Sequence, residues 1–353
     1  MRLQESNRYV SVDGDRFDVL KFILAVFILG IHTDVSFTLK PVFRLAVPLF
    51  FMMTSYFFFL KQARLDSLRD KRHQLKNYCL RILKLYLFWF IVLLPLTVYY
   101  HKWYVDPGPG LLLDVVHSFL FGNTFKASWF LMASLLCIVL VWYLSRWVKT
   151  GMMLALGVVL YCYCCLTTNY YHLCEGIPGF TEFNEAYVTL FKDPYHSFPV
   201  AFAFVVIGKY LAEHSVTVSN RVLGWVITVC LVLLYAEQHM VVSNHWVSRD
   251  DCFFSLLPMS VGLFMLIGQN HVRVGVNAVK LRKCSTIIFC SHYSLAVLIL
   301  HLLRSSMPGL RVGTYDLFNL LTFVITLLLC LGLCELLLWL EKREHFAWIK
   351  YCH

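Results

Sequence analysis

The stretch Arg16-Phe17-Asp18-Val19-Leu20-Lys21-Phe22-Ile23-Leu24-Ala25-Val26-Phe27-Ile28-Leu29-Gly30-Ile31-His32 decides how this chain is read. It opens an apolar run with ionisable residues inside it, and a second run follows almost at once. A bilayer core of about 30 Å takes about 20 residues of helix. Runs near that length recur at 17–38, 42–60, 81–100, 128–145, 151–168, 196–212, 222–236, 252–268, 286–303 and 317–340. The expected fold is all-α: a polytopic membrane helix bundle of about ten transmembrane helices, a single integral-membrane domain over 1–353. Composition agrees, with 59% of residues hydrophobic and 15% charged and a mean hydropathy of +0.66, outside the range of a soluble domain. The first run outlasts a signal sequence and lacks a small-residue cleavage site, so a retained amino terminus is expected.

Ten spans place both termini on one side, and Lys and Arg say which. With the termini inside, the inner set holds Arg2, Arg8, Arg16, the cluster from Lys61 to Lys84, Arg146, Lys149, Lys209, Arg221, Arg273, Lys280, Arg282, Lys283, Lys342, Arg343 and Lys350. The outer set is sparser: Lys40, Arg44, Lys102, Lys126, Lys192, Arg249, Arg304 and Arg311. Both termini are therefore expected in the cytoplasm. The same sorting absorbs the formal charge of +10, so the expected partner is membrane lipid and no nucleic acid. Thirteen cysteines sit mostly in apolar runs such as Leu160–Leu166 and Leu327–Leu336, as small packing residues would, and no paired CxxC spacing suggests zinc. No metal is expected. The longest outer segments, Tyr100–Ser128 and Asn169–Ser197, carry Pro, Gly and aromatics (DPGPG, EGIPGF), a composition suited to capping an outward cavity.

Ionisable groups inside spans are expensive and mark function by default. Asp18, Lys21 and His32 share one face at 3.6 residues per turn, whereas Asp34 points the other way. Lys21 is either functional or snorkels to headgroups. His32, about 22 Å along the axis from Phe17 at 1.5 Å per residue, is past mid-bilayer. It is either a packing histidine or, with an ordinary pKa of about 6.5, a general base. Arg81 and Lys84 adjoin on one face at the inner boundary, either as ordinary anchors or as a phosphate clamp.

These residues lie in an order that resembles the integral-membrane acyltransferase-3 family, whose members are similar to polysaccharide O-acetyltransferases. Lys21 precedes His32 by the family's eleven positions. Arg44-Leu45-Ala46-Val47-Pro48-Leu49-Phe50-Phe51 resembles its R-x-x-V-P-x-F-F, with Thr54-Ser55 in place of the Ser-Gly that follows. Arg81-Ile82-Leu83-Lys84 resembles R-x-x-R, although lysine lacks the bidentate fork. Ser128-Trp129-Phe130-Leu131 and the run Phe202 to Leu211 resemble two further pieces, and Ser285 to His292 fits S-x-x-x-Y-x-x-H with Phe289 for Tyr.

The resemblance implies transfer of an acyl group, commonly acetyl, from cytoplasmic acyl-CoA to a hydroxyl of a glycan or lipid-linked acceptor, as in polysaccharide modification of the cell envelope. It implies His32 as catalytic base, Arg16 and Lys21 as donor-positioning or histidine-supporting residues beside Asp18, Arg81 with Lys84 on the CoA phosphates, and Trp129 on the acyl path. His292 is a further candidate, as are Glu335 and Glu341 in or near the last span. A bacterial cytoplasmic membrane is the expected location, with no room for an added periplasmic hydrolase-like domain. The rival reading is a polytopic transporter or flippase for a glycan or lipid-linked substrate, since ionisable lines also serve pumps. It would gain from inverted repeats, and the two halves show no convincing correspondence.

Overall fold

The computed structural model describes residues 14–101, 110–246, 251–270, 275–306 and 315–353. Arg2, Arg8, Lys102, Arg249, Arg273 and Arg311 of the charge sorting lie outside them. The described residues are helical and contain no strand. The elements are α1 Gly14–His32, α2 Lys40–Phe43, α3 Ala46–Ala63, α4 Leu68–Val92, α5 Leu94–His101, α6 Leu111–Leu120, α7 Ser128–Leu144, α8 Thr150–Leu166, α9 Phe180–Phe191, α10 Phe198–Glu213, α11 Asn220–Ser243, α12 Leu256–Gln269, α13 Ala278–Ser306 and α14 Tyr315–Leu340. A 3₁₀ segment, Glu344–Cys352, follows.

Each expected apolar segment contains a helix, but the ends differ for physical reasons. The first stops at His32, because Thr33 turns its hydroxyl back to the Leu29 carbonyl at 2.9 Å and Asp34 takes a left-handed φ of 48°. The third begins thirteen residues earlier than hydropathy indicates, at a cap in which Ser67 Oγ accepts the Asp70 N–H at 3.0 Å. It breaks at Leu93, just ahead of Pro95, which carries no N–H for a continuing helix. The outer segments hold helices that were not expected, α6 and α9.

Among the described residues, Lys40–Ala63, Asn220–Ser243, Ala278–Ser306 and Leu317–Leu340 are each long and apolar enough to cross a membrane. The pair Phe180–His196 and Phe198–Glu213, bent by 45°, makes a fifth if counted as one span. Of the other expected spans, α7, α8 and α12 are shorter apolar helices, and α1 carries Asp15, Arg16, Asp18 and Lys21 in its first two turns.

The core forms where α3 lies against α10 and α1 against α13. Inside the α3 span 67% of the apolar window is buried, against 22% for α11 and for α14, so α3 is central and the other two turn most of their surface outward. Close approach of α3 and α10 depends on Gly208, where an added Cβ would stand 2.7 Å from the Met52 carbonyl oxygen. Beside it Ser55 donates to the Val205 carbonyl at 2.5 Å. The serine that departs from the family's glycine is thus accommodated by a glycine on the facing helix.

Candidate active site

The inner end of α1 is rich in partners. Lys21 Nζ lies 2.9 Å from Asp18 Oδ1, and Arg282 Nη1 of α13 lies 3.2 Å from Asp18 Oδ2. The Asp18 side chain is 6% exposed, so one buried carboxylate holds two cations from two helices. Arg16, also buried, donates to the main-chain oxygens of Asn270 and, at 2.9 Å, of Gly268. Those carbonyls belong to the C-terminal end of α12, where helix carbonyls lack intrahelical donors. Arg16 therefore ties α1 to α12 and stands about 24 Å from His32 along the axis, sixteen residues at 1.5 Å each.

The outer end of α1 is different. The His32 ring stacks on that of His292 with centroids 5.2 Å apart and planes at 25°, and meets the Tyr293 ring edge-on at 5.4 Å. Asp18 meets Arg282 and His32 meets His292, so α1 and α13 run parallel and present matched faces. His292 Nδ1 lies 3.0 Å from the Ile288 carbonyl oxygen and 2.8 Å from that of Phe289. Both are acceptors, so Nδ1 carries the hydrogen and the lone pair sits on Nε2. Nε2 is buried and has no hydrogen-bond partner. Groups on other elements whose charge acts on His32 include His292, Lys126, Arg44 and His196.

Between these ends runs a cavity of about 1040 Å³. Its exposed end carries Lys61, Asp70, His73, Arg81, Arg282 and Lys283, and its buried end is walled by Met53, Ile82, Leu85, Phe130, Leu131 and Phe289. Lys21, Lys61, Arg81, Arg282 and Lys283 line it against Asp18 and Asp70, five cations to two carboxylates, or net +3. A cavity with a cationic mouth and an apolar floor suits an amphiphile with an anionic head. Tyr78 OH and Ser134 Oγ, on residues that line this wall, are buried with no hydrogen-bond partner.

The structure divides the sequence candidates. Asp18, Lys21 and Arg81 line the cavity; Lys84 does not, its Nζ lying 4.9 Å from the Tyr351 ring centroid. Trp129 lies at the start of α7, with ring centroids 5.0 Å from His196 and 6.0 Å from Tyr195, apart from the cavity and towards the end of the bundle that holds His32's cationic neighbours. Gly122, at φ +66°, makes the turn that seats it; a Cβ there would stand 2.5 Å from Trp129 Cα. Behind this group Arg44 pairs with Asp251 at 2.6 Å, both largely buried. Glu335 is exposed and pairs with Lys280 at 2.5 Å, so it is neither buried nor at the cavity. Glu341 joins the cavity rim indirectly, accepting from Lys283 at 2.9 Å and lying 3.1 Å from His353. Burial opposes ionisation of Glu341, but Lys283 and His353 together hold its carboxyl below the ordinary glutamate value.

Lys61, His73, Arg282 and Lys283 were not singled out by the sequence. Their signal was present in the inner basic cluster, where it reads as positive-inside anchoring. No group of three or more His, Cys, Asp or Glu placed to hold a metal ion occurs among the described residues.

A family model described as an acyltransferase domain matches residues 15–339. The chain therefore belongs to the acyltransferase-3 family. Two curated relatives are similar over most of this chain. One, named an amino-acid racemase, from Enterococcus faecalis, is 24% identical over 342 residues, 92% of this chain and 46% of the relative. The other, of the same name and organism, is 23% identical over 299 residues, 81% of this chain and 40% of the relative. The chain thus spans less than half the length of these relatives. No solved structure matches.

Proposed function

We propose that this membrane acyltransferase moves an acyl group, acetyl in the first instance, from cytoplasmic acyl-CoA to a hydroxyl of a glycan or lipid-linked acceptor on the outer side. The reading includes ten spans with both termini in the cytoplasm of a bacterial envelope membrane. The observation that carries it is the cavity, cationic at its mouth and apolar at its floor, whose floor adjoins the His32–His292 pair.

In this reading Arg81, Lys61 and Arg282 meet the phosphates of the donor, and the acyl end lies towards Phe130 and Phe289. Lys21 keeps Asp18 engaged, so that Arg282 stays fixed on the wall. His32 takes the proton of the acceptor hydroxyl as its oxygen attacks the thioester carbonyl; the new C–O bond forms, the C–S bond breaks, and the departing sulfur takes that proton from His32 to leave as the CoA thiol. His292, with its Nδ1 hydrogen spent on two carbonyls, presents a fixed ring against which His32 is oriented. Trp129 and Tyr195 then belong to the acceptor side, away from the donor path.

The parallel run of α1 and α13 supports the topology, since first and ninth spans cross in the same direction. The racemase activity named for the two relatives is theirs, and more than half of each lies outside the match. The experiment is binding and turnover by the full chain purified in detergent. Acetyl-CoA should displace labelled CoA, and free CoA should appear in a His32-dependent manner. A protein that neither binds CoA nor releases it contradicts the reading and favours the flippase alternative.

A further inference from the structure

Neither His32 nor His292 lines the donor cavity. Phe50, Phe130 and Phe289 stand at the buried end of the cavity. Their ring centroids are 6.0 Å apart for Phe50 and Phe130, 5.7 Å for Phe50 and Phe289, and 5.2 Å for Phe130 and Phe289. Rings in contact lie about 4.5–7 Å apart by centroid, so the three close a partition. Phe130 also packs against Phe51, with ring centroids 4.4 Å apart. Phe289 borders both compartments: it lines the cavity, and its ring lies 6.3 Å from that of His292. Its carbonyl also accepts the Nδ1 hydrogen of His292, so its backbone is held where it is.

We propose that Phe289, seated against Phe50 and Phe130, is the specificity-determining residue that limits the transferred acyl group to a short one, with acetyl favoured. The proposal rests on the acyl-transfer reading above. A reacting carbonyl must come within about 3–3.5 Å of its partner atoms, whereas the cations that hold the donor's head stay at the mouth. The acyl carbon must therefore enter between ring edges that already touch. A two-carbon group needs one ring to turn; each added methylene needs volume that Phe289 fills. One methylene against a fixed apolar wall is worth roughly 10–200-fold in kcat/KM. The phenyl at this position, where the S-x-x-x-Y-x-x-H pattern has a phenol, makes the partition wholly apolar.

The test uses membrane vesicles containing the full chain and measures CoA thiol released from acetyl-CoA, butyryl-CoA and hexanoyl-CoA above the level of His32→Ala vesicles. Wild type should prefer acetyl-CoA over hexanoyl-CoA. Phe289→Ala should reduce that preference by about tenfold or more, with acetyl-CoA still displacing labelled CoA. Phe289→Leu, which keeps an apolar side chain of intermediate size, should fall between the two and carries the test if the alanine variant is degraded. Phe57→Ala, in the same cavity but outside the three-ring partition, should leave the preference unchanged. An unchanged acetyl preference in both Phe289 variants, or an equal change in Phe57→Ala, overturns the partition while leaving acyl transfer intact. His32-independent release with every donor overturns the transfer reading itself, and the partition with it.

Discussion

The two ends of α1 hold the same kind of residue and use it in opposite ways. At the inner end Arg16, Asp18 and Lys21 are all spoken for, by carbonyls of α12 and by Arg282 of α13. At the outer end His32 is flanked by the rings of His292 and Tyr293, and His292 keeps one buried nitrogen without a partner. A buried polar atom left unsatisfied costs about 1–3 kcal/mol, and such a cost persists where the atom has work to do. A buried ionisable residue is thus not in itself a sign of chemistry. At the outer end the sign is a lone pair on His292 Nε2 beside a second imidazole.

This contrast can be broken by substitutions at either end. The largest effect belongs to the outer end: His292→Gln should lower acyl transfer by about 100-fold or more with the melting temperature in detergent nearly unchanged. A stability loss with normal turnover would make His292 a packing residue. At the inner end the signs reverse. Arg16→Met removes two hydrogen bonds from a charged donor, each worth about 1.5–3 kcal/mol, and should lower the melting temperature clearly while the surviving folded protein keeps its KM for acetyl-CoA.

Along the cavity, Arg81→Ala should weaken CoA binding by about tenfold, a loss of roughly 1.4 kcal/mol. Lys84→Ala, which removes a cation directed at Tyr351, should leave binding within error. Equal effects would restore the two-cation clamp. The smallest effect lies at the rim. Glu341 has its folded pKa depressed by Lys283 and His353, so its stabilisation is present above the unfolded value of about 4.3. That stabilisation is lost as pH falls through the lower folded value. Glu341→Gln should therefore lower the melting temperature slightly at neutral pH, leave it unchanged below the folded value, and so flatten the acid limb of a thermal-stability profile.

Much of the bundle is legible in hydropathy, because burying about 20 apolar residues per span leaves a composition that no other fold explains. What hydropathy misses is helix that does not need lipid. The first turns of α4, from Leu68 through Lys76, are polar and protrude beyond the apolar run, and only Ser67 marks their start. α6 and α9 sit directly after Pro and Gly clusters that read as loop, although Leu111–Leu120 and Phe180–Phe191 have helical composition once past them. At the site, the shared face of Asp18, Lys21 and His32 follows from 3.6-residue periodicity. Their partners do not, since Arg282 and His292 are about 260 residues away and periodicity carries no tertiary pairing. Arg16 is read from the sequence as positioning the donor or supporting the histidine; the structure adds main-chain oxygens of Gly268 and Asn270 as partners, which leave no trace in side-chain identity.

The most direct measurement is transfer of labelled acetyl from acetyl-CoA to the membrane fraction by His32→Ala, with insertion and CoA displacement checked on the same preparation. The account predicts that CoA still binds, because His32 lies outside the cavity lining, and that transfer falls by about 10²–10⁴-fold. Transfer at the wild-type rate by a variant that inserts and binds CoA would contradict the assignment of the outer end of α1 as the chemical centre.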